Sequence, residues 1–141
     1  MAVTSQSTTV WNGVLTAGSG TVRLESSHAA ELPVSWKARS EGSDSVTTPE
    51  ELLGAAHSSC FSMALANALT SFGTSPEQII TTAAVTFDPA AGITGSHLTV
   101  TATVPEISEE DFQRIADEAK RTCPVSRALV GIPITLEATL S

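Results

Sequence analysis

Tyrosine is absent from this chain, and aromatic residues make up only 4% of it. A core here must therefore be built from Ala, Val, Leu and Ile. Basic residues are also scarce, seven Lys and Arg against fifteen Asp and Glu, for a formal net charge of -8. That balance argues against a nucleic-acid partner, because neutralising phosphates takes clustered Lys and Arg. No uninterrupted apolar run approaches the ~18 residues of a membrane span. The N-terminus, Met1-Ala2-Val3-Thr4-Ser5-Gln6, lacks the charged and apolar blocks of a signal peptide. A reducing, cytoplasmic location is the expectation. Only two cysteines are present; in that compartment a pair is expected to serve catalysis or metal binding rather than structure.

What is present reads as one ordinary domain. At 141 residues, 41% hydrophobic and 16% charged, the chain can bury about two-thirds of its unfolded surface and needs no disulfide staple. Strands are expected over 8–15 and 21–26, joined by the turn Ala17-Gly18-Ser19-Gly20. Residues 32–39 alternate after Pro33 and predict a third strand, with Arg39 on its polar face. A loop follows to Thr47. A long helix then starts on three signals: Thr48 as N-cap, Pro49 at the first helical position, and Glu51 completing a capping box with Thr48. It runs to about Phe72, with Gly73 as C-terminal cap. Being apolar on nearly all sides, it is expected to be a buried central helix. Strands over 80–88 and 97–104, a helix from Phe112 to about Arg121, a short helix after Pro124 and a strand over 132–140 complete the chain. The order βββ-α-ββ-αα-β defines an α+β protein without βαβ repeats.

The cysteines sit in unlike settings. Cys60 lies in mid-helix, where the helix dipole, confined to the end turns, gives a thiol little activation. Apolar surroundings would raise its pKa further. A reactive Cys60 needs a cation, and Arg39 is the one leading into the helix, with Glu50 in the first turn able to orient it. Glu50 and Cys60 are ten residues apart, about 15 Å along a helix axis, so either Arg39 spans the gap or Glu50 belongs to a second subunit's site. Cys123 precedes Pro124 and reads as an N-cap with free backbone N–H groups beside its sulfur. Taken alone, either cysteine also reads as a small core residue, Arg39 and Glu50 as surface charges, and His57 as a packed histidine. A His57–Cys60–Cys123 metal site lacks a fourth ligand. A dimeric small-ligand carrier with inert cysteines is a further alternative.

Three blocks tip the balance: Ala38-Arg39-Ser40-Glu41-Gly42, the run from Thr48 through Cys60 to Leu65, and Cys123-Pro124-Val125-Ser126. They resemble the family of osmotically induced protein C and organic hydroperoxide resistance proteins (OsmC/Ohr), its OsmC branch most closely. The resemblance covers residues 1–141 as one domain. It implies antiparallel sheets around a long central helix in an intertwined homodimer with two interfacial sites. It implies a thiol-dependent peroxidase for organic hydroperoxides, without metal or cofactor, re-reduced by an external dithiol of lipoyl type. By position, Cys60 is then the attacking thiol, Cys123 the resolving one, Arg39 the activating cation and Glu50 its orienter. Phe61, Met63 and Leu52 would be the apolar groups that favour alkyl or aryl hydroperoxides.

Overall fold

The computed structural model describes residues 1–141. They form two compact units, Met1–Leu52 and Leu53–Ser141.

The N-terminal unit is an antiparallel sheet followed by a short helix. β1 (Ser7–Asn12), β2 (Ser19–Leu24) and β3 (Glu31–Val34) pair in sequence order. The β1–β2 turn needs Gly18, because a Cβ there would lie 2.5 Å from the carbonyl oxygens of both Asn12 and Val14. All six residues of β1 are exposed, and Val22 and Ala38 are the buried apolar residues of the unit.

The third strand is shorter than expected, and Arg39 is not on it. β3 stops at Val34, and α1 (Trp36–Glu41) follows. The cause is capping chemistry that outweighs a brief alternation. Ser35 Oγ accepts a hydrogen bond from the Ala38 N–H at 3.1 Å. Gly42, at φ 86°, ends the helix by donating its N–H to the Ala38 carbonyl at 2.9 Å. Arg39 therefore projects from the last turn of a helix.

α2 (Pro49–Phe72) starts and stops where the sequence places it. Thr48 Oγ1 accepts from the Glu51 N–H at 3.0 Å, the first half of a capping box. The return bond is different: the Glu51 carboxylate takes the hydroxyl of Thr47. Gly73, at φ 114°, donates to the carbonyls of Leu69 and Thr70.

In the C-terminal unit, β4 (Gln78–Asp88), β5 (Gly92–Thr103) and β6 (Ile134–Leu140) form the second sheet in that order. β4 and β5 are antiparallel, but β5 and β6 are parallel, which corrects the expectation of wholly antiparallel sheets. The long connection through α3 (Glu109–Thr122) and α4 (Pro124–Ala128) returns the chain to the same end of the sheet, and this permits the parallel pairing. One face of the sheet, including Leu98, Val100 and Ala102, packs with Phe61, Leu65 and Leu69 of α2 and Phe112, Ile115 and Ala116 of α3. Each large side chain so buried contributes about 1.5–3 kcal/mol.

α2 is not buried all round. His57, Phe61, Leu65 and Leu69 form a stripe with no exposure, spaced as one helical face requires. The opposite face is open, with Ala55, Ala56 and Ser59 exposed and Met63 at 72%. α2 also has an 18-residue window of mean hydropathy 1.2, long and apolar enough by composition alone to cross a membrane. Counting uninterrupted apolar runs misses this, because Ser, His and Asn punctuate the helix. In this fold its buried stripe serves as a core helix does. Gly54 belongs to that stripe: a Cβ there would meet the Ala83 carbonyl oxygen at 2.9 Å, so glycine lets α2 lie directly on β4.

Candidate active site

The four residues expected to carry chemistry fall into two pairs, one in each unit. In the N-terminal unit, Arg39 on the last turn of α1 reaches Glu50 on the first turn of α2. The Arg39 Nε–H and Nη2–H both donate to Glu50 Oε1, at 3.0 and 2.8 Å. The Glu50 side chain is only 6% exposed and that of Arg39 31%. Neither is a plain surface charge. Glu50 Oε2 is buried and has no hydrogen-bond partner, although a carboxylate offers two acceptor oxygens.

In the C-terminal unit the two cysteines adjoin. Both are free thiols, Cys60 half-buried and Cys123 fully buried. Burial raises the Cys60 pKa, and so does the hydrogen bond and charge of the neighbouring Cys123 thiol. The Val125 backbone opposes this without reversing it. The short helix therefore works differently from the expectation. Cys123 does stand at the N-cap position of α4, and Pro124 is at N1, but its side chain makes no capping bond. The backbone at that helix start acts on the Cys60 pKa instead, from a different helix. Sequence reasoning had no signal for that crossing.

Cys123 is also held from behind. It closes α3 by donating its N–H to the Ala119 carbonyl at 2.9 Å. The thiol thus sits at the joint between α3 and α4, and its position depends on both.

His57, one turn before Cys60, is completely buried. Its Nδ1 lies 2.8 Å from Ser96 Oγ of β5, and its Nε2 lies 2.8 Å from Ser126 Oγ of α4. Burial holds its pKa below the ordinary histidine value, so it is neutral near pH 7. The expected packed histidine is realised, with two partners the sequence did not reveal. Ser126 stood inside the Cys-Pro-Val-Ser block without an evident role; nothing in the sequence marked Ser96.

The apolar surroundings differ from expectation. Phe61 has no exposure and belongs to the core, while Met63 is largely exposed. A groove of about 580 Å³ runs instead between α2 and α3, lined by Ala64, Ala68, Phe72, Arg114, Ala119 and Pro124, among others. Ala64 is one turn beyond Cys60, and Pro124 follows Cys123 directly.

An α+β chain that sets a half-buried thiol in mid-helix against a second thiol at a Cys-Pro helix start has the make-up of a two-cysteine redox protein. The comparisons place it more narrowly. Residues 42–137 match the family model for OsmC-like proteins, and the chain belongs to that family. It is 43% identical over 133 residues to the peroxiredoxin OsmC of Escherichia coli, with 92% of each chain covered. Two solved structures share the fold. An OsmC-like protein from Mycoplasma pneumoniae superposes with a TM-score of 0.75 at 16% identity, covering 99% of each chain. An organic hydroperoxide resistance protein from Elizabethkingia anophelis does so with a TM-score of 0.69 at 24% identity, covering 100% of this chain and 97% of that one.

Proposed function

We propose that this protein is a thiol-dependent peroxidase that reduces organic hydroperoxides to alcohols. The observation that carries the reading is the adjoining of two free thiols, the outer one half-buried. In the cycle, the Cys60 thiolate attacks the distal oxygen of ROOH. The O–O bond breaks, RO⁻ leaves and takes up a proton, and Cys60 becomes a sulfenic acid. The Cys123 sulfur then displaces the sulfenic hydroxyl, water departs, and a Cys60–Cys123 disulfide forms. An external dithiol of lipoyl type returns both thiols by exchange, in the reducing cytoplasm.

Arg39, oriented by Glu50, is assigned to the charge that develops on the leaving alkoxide. The active form is a homodimer. Three features support this. The outer face of α2, bordering Cys60, is apolar and uncovered in the single chain. The N-terminal unit buries few apolar residues of its own. Glu50 Oε2 finds no partner within the chain.

Consumption of cumene hydroperoxide with a panel of dithiols tests the proposal. Cys60→Ser should abolish turnover. Cys123→Ser should reduce about one hydroperoxide per chain and then stall as a sulfenic acid that dimedone traps. Full turnover by Cys60→Ser would defeat the reading; no consumption by the wild type, with small-ligand binding kept in Cys60→Ser, would favour a ligand carrier whose cysteines are inert.

A further inference from the structure

We propose that His57 is a positioning residue: by tying α2 to the short helix α4 and to β5, it holds Cys123 against Cys60 and sets the rate at which their disulfide closes. This rests on reading the two thiols as a redox pair. The geometry is symmetric about that pair. His57 is one turn before Cys60 on α2, and Ser126 is one turn after Cys123 on α4. The 2.8 Å bond between Nε2 and Ser126 Oγ therefore joins the two helices beside the thiols, while the 2.8 Å bond from Nδ1 to Ser96 Oγ fixes the ring to the central strand of the sheet. A neutral imidazole has one donor and one acceptor, and the two hydroxyls satisfy both.

α4 needs such a grip. It has five residues and no side-chain cap at Cys123, and a helix this short does not hold itself. Val125, whose backbone lowers the Cys60 pKa, is the residue before Ser126. Loosening the tie would therefore disturb both the resolving thiol and the backbone that acts on Cys60. Disulfide closure is sensitive to this, because the Cα atoms must come within roughly 4.4–6.8 Å with a fixed torsion. A hydrogen-bonded buried ring gains little stability over a well-packed apolar side chain. Placement beside the thiols gives the ring a reason to be there.

Rapid quench with peptide mapping can follow closure of the Cys60–Cys123 disulfide in the full chain, driven either by diamide at concentrations where the rate no longer depends on it, or by cumene hydroperoxide. Ser126→Ala should slow closure about tenfold, Ser126→Thr, which keeps the hydroxyl, should stay within about threefold of wild type, and His57→Leu should match Ser126→Ala. Thr74→Ala is the control for simple destabilisation. It removes a different buried hydroxyl, which donates to the Pro105 carbonyl at 2.5 Å and lies just beyond the end of α2, itself twelve residues and about 18 Å along the helix from Cys60. It should leave closure unchanged. If His57→Leu does not fold, the two Ser126 variants decide. Wild-type closure in Ser126→Ala, equal slowing in Thr74→Ala, or no recovery in Ser126→Thr would each overturn the proposal. Closure of the wild type with diamide but not with hydroperoxide would instead overturn the peroxidase reading and leave the diamide comparison to judge His57.

Discussion

Removing Arg39 strands the buried Glu50 carboxylate without its cation. In Arg39→Ala, Glu50 keeps its side chain at 6% exposure and loses both donors to Oε1, while Oε2 already lacks a partner. Breaking a buried ion pair from one side costs 3–5 kcal/mol. The low end, about 3 kcal/mol, applies here, because Arg39 is 31% exposed and water can enter where it stood. With a urea m-value of about 2 kcal/mol/M, the unfolding midpoint should fall by about 1.5 M. The composition supplies the assay. Both tryptophans, Trp11 and Trp36, lie in the N-terminal unit, and no tyrosine is present, so intrinsic fluorescence reports on the unit that holds the pair. Arg39→Ala combined with Glu50→Gln replaces the stranded charge with a neutral amide and should recover about half of the loss, the non-additivity expected of contacting partners. The shift should persist in 1 M salt, since screening acts weakly on a buried carboxylate. A midpoint shift under about 0.3 M, or a double variant no more stable than Arg39→Ala, would refute this account of the pair.

Cys123→Ala should lower the pH at which Cys60 becomes reactive, because the Cys123 thiol is one of the groups that raise its pKa and the Val125 backbone that lowers it remains; iodoacetamide alkylation rates against pH give the direction, and an upward move would contradict it. Gly54→Ala should destabilise the C-terminal unit by about 1 kcal/mol in urea unfolding followed by thiol accessibility, since overpacking against the Ala83 carbonyl, about 2 kcal/mol at the middle of its usual range, exceeds the gain of about 1 kcal/mol from better helix propensity.

The α2 helix was legible because its start and stop are local chemistry. Thr48, Pro49 and Gly73 each satisfy a backbone need within one turn. The same chemistry is present at Ser35 and Gly42, where the alternation of Val34, Trp36 and Ala38 points instead to a strand. Six residues are too few for a period to outweigh two caps. The burial of α2 misled in the opposite direction. Its composition is apolar on every side, but composition does not say which chain covers which face, and only the stripe through His57, Phe61, Leu65 and Leu69 is covered here. Within the site, the pairing of Arg39 with Glu50 and of Cys60 with Cys123 followed from the motifs. The Ser96 and Ser126 bonds to His57 join residues 39 and 69 positions apart in the chain, and serine has no pattern that betrays such a partner.

The state of Cys60 bears on what the rest of the site must do. With both thiols free, burial and Cys123 hold the Cys60 proton more tightly than water would, and the α4 backbone at Val125 resists. That is a poor start for a nucleophile only if thiolate population limits the rate. Lowering a thiol pKa from about 8.5 to about 6 raises the thiolate fraction roughly 30-fold at pH 7. The accompanying loss of nucleophilicity, at a Brønsted slope of about 0.45, is roughly 13-fold. The net gain is about twofold, so a site gains little by creating a stable thiolate. It gains more by stabilising the alkoxide as the O–O bond breaks, which requires a fixed cation in a poorly solvated place. On the proposed assignment, that cation is Arg39, whose guanidinium is oriented by two donors on one buried carboxylate oxygen. The same economy explains the second cysteine: a neighbour that raises the first thiol's pKa costs little in attack, and it is already in place to close the disulfide.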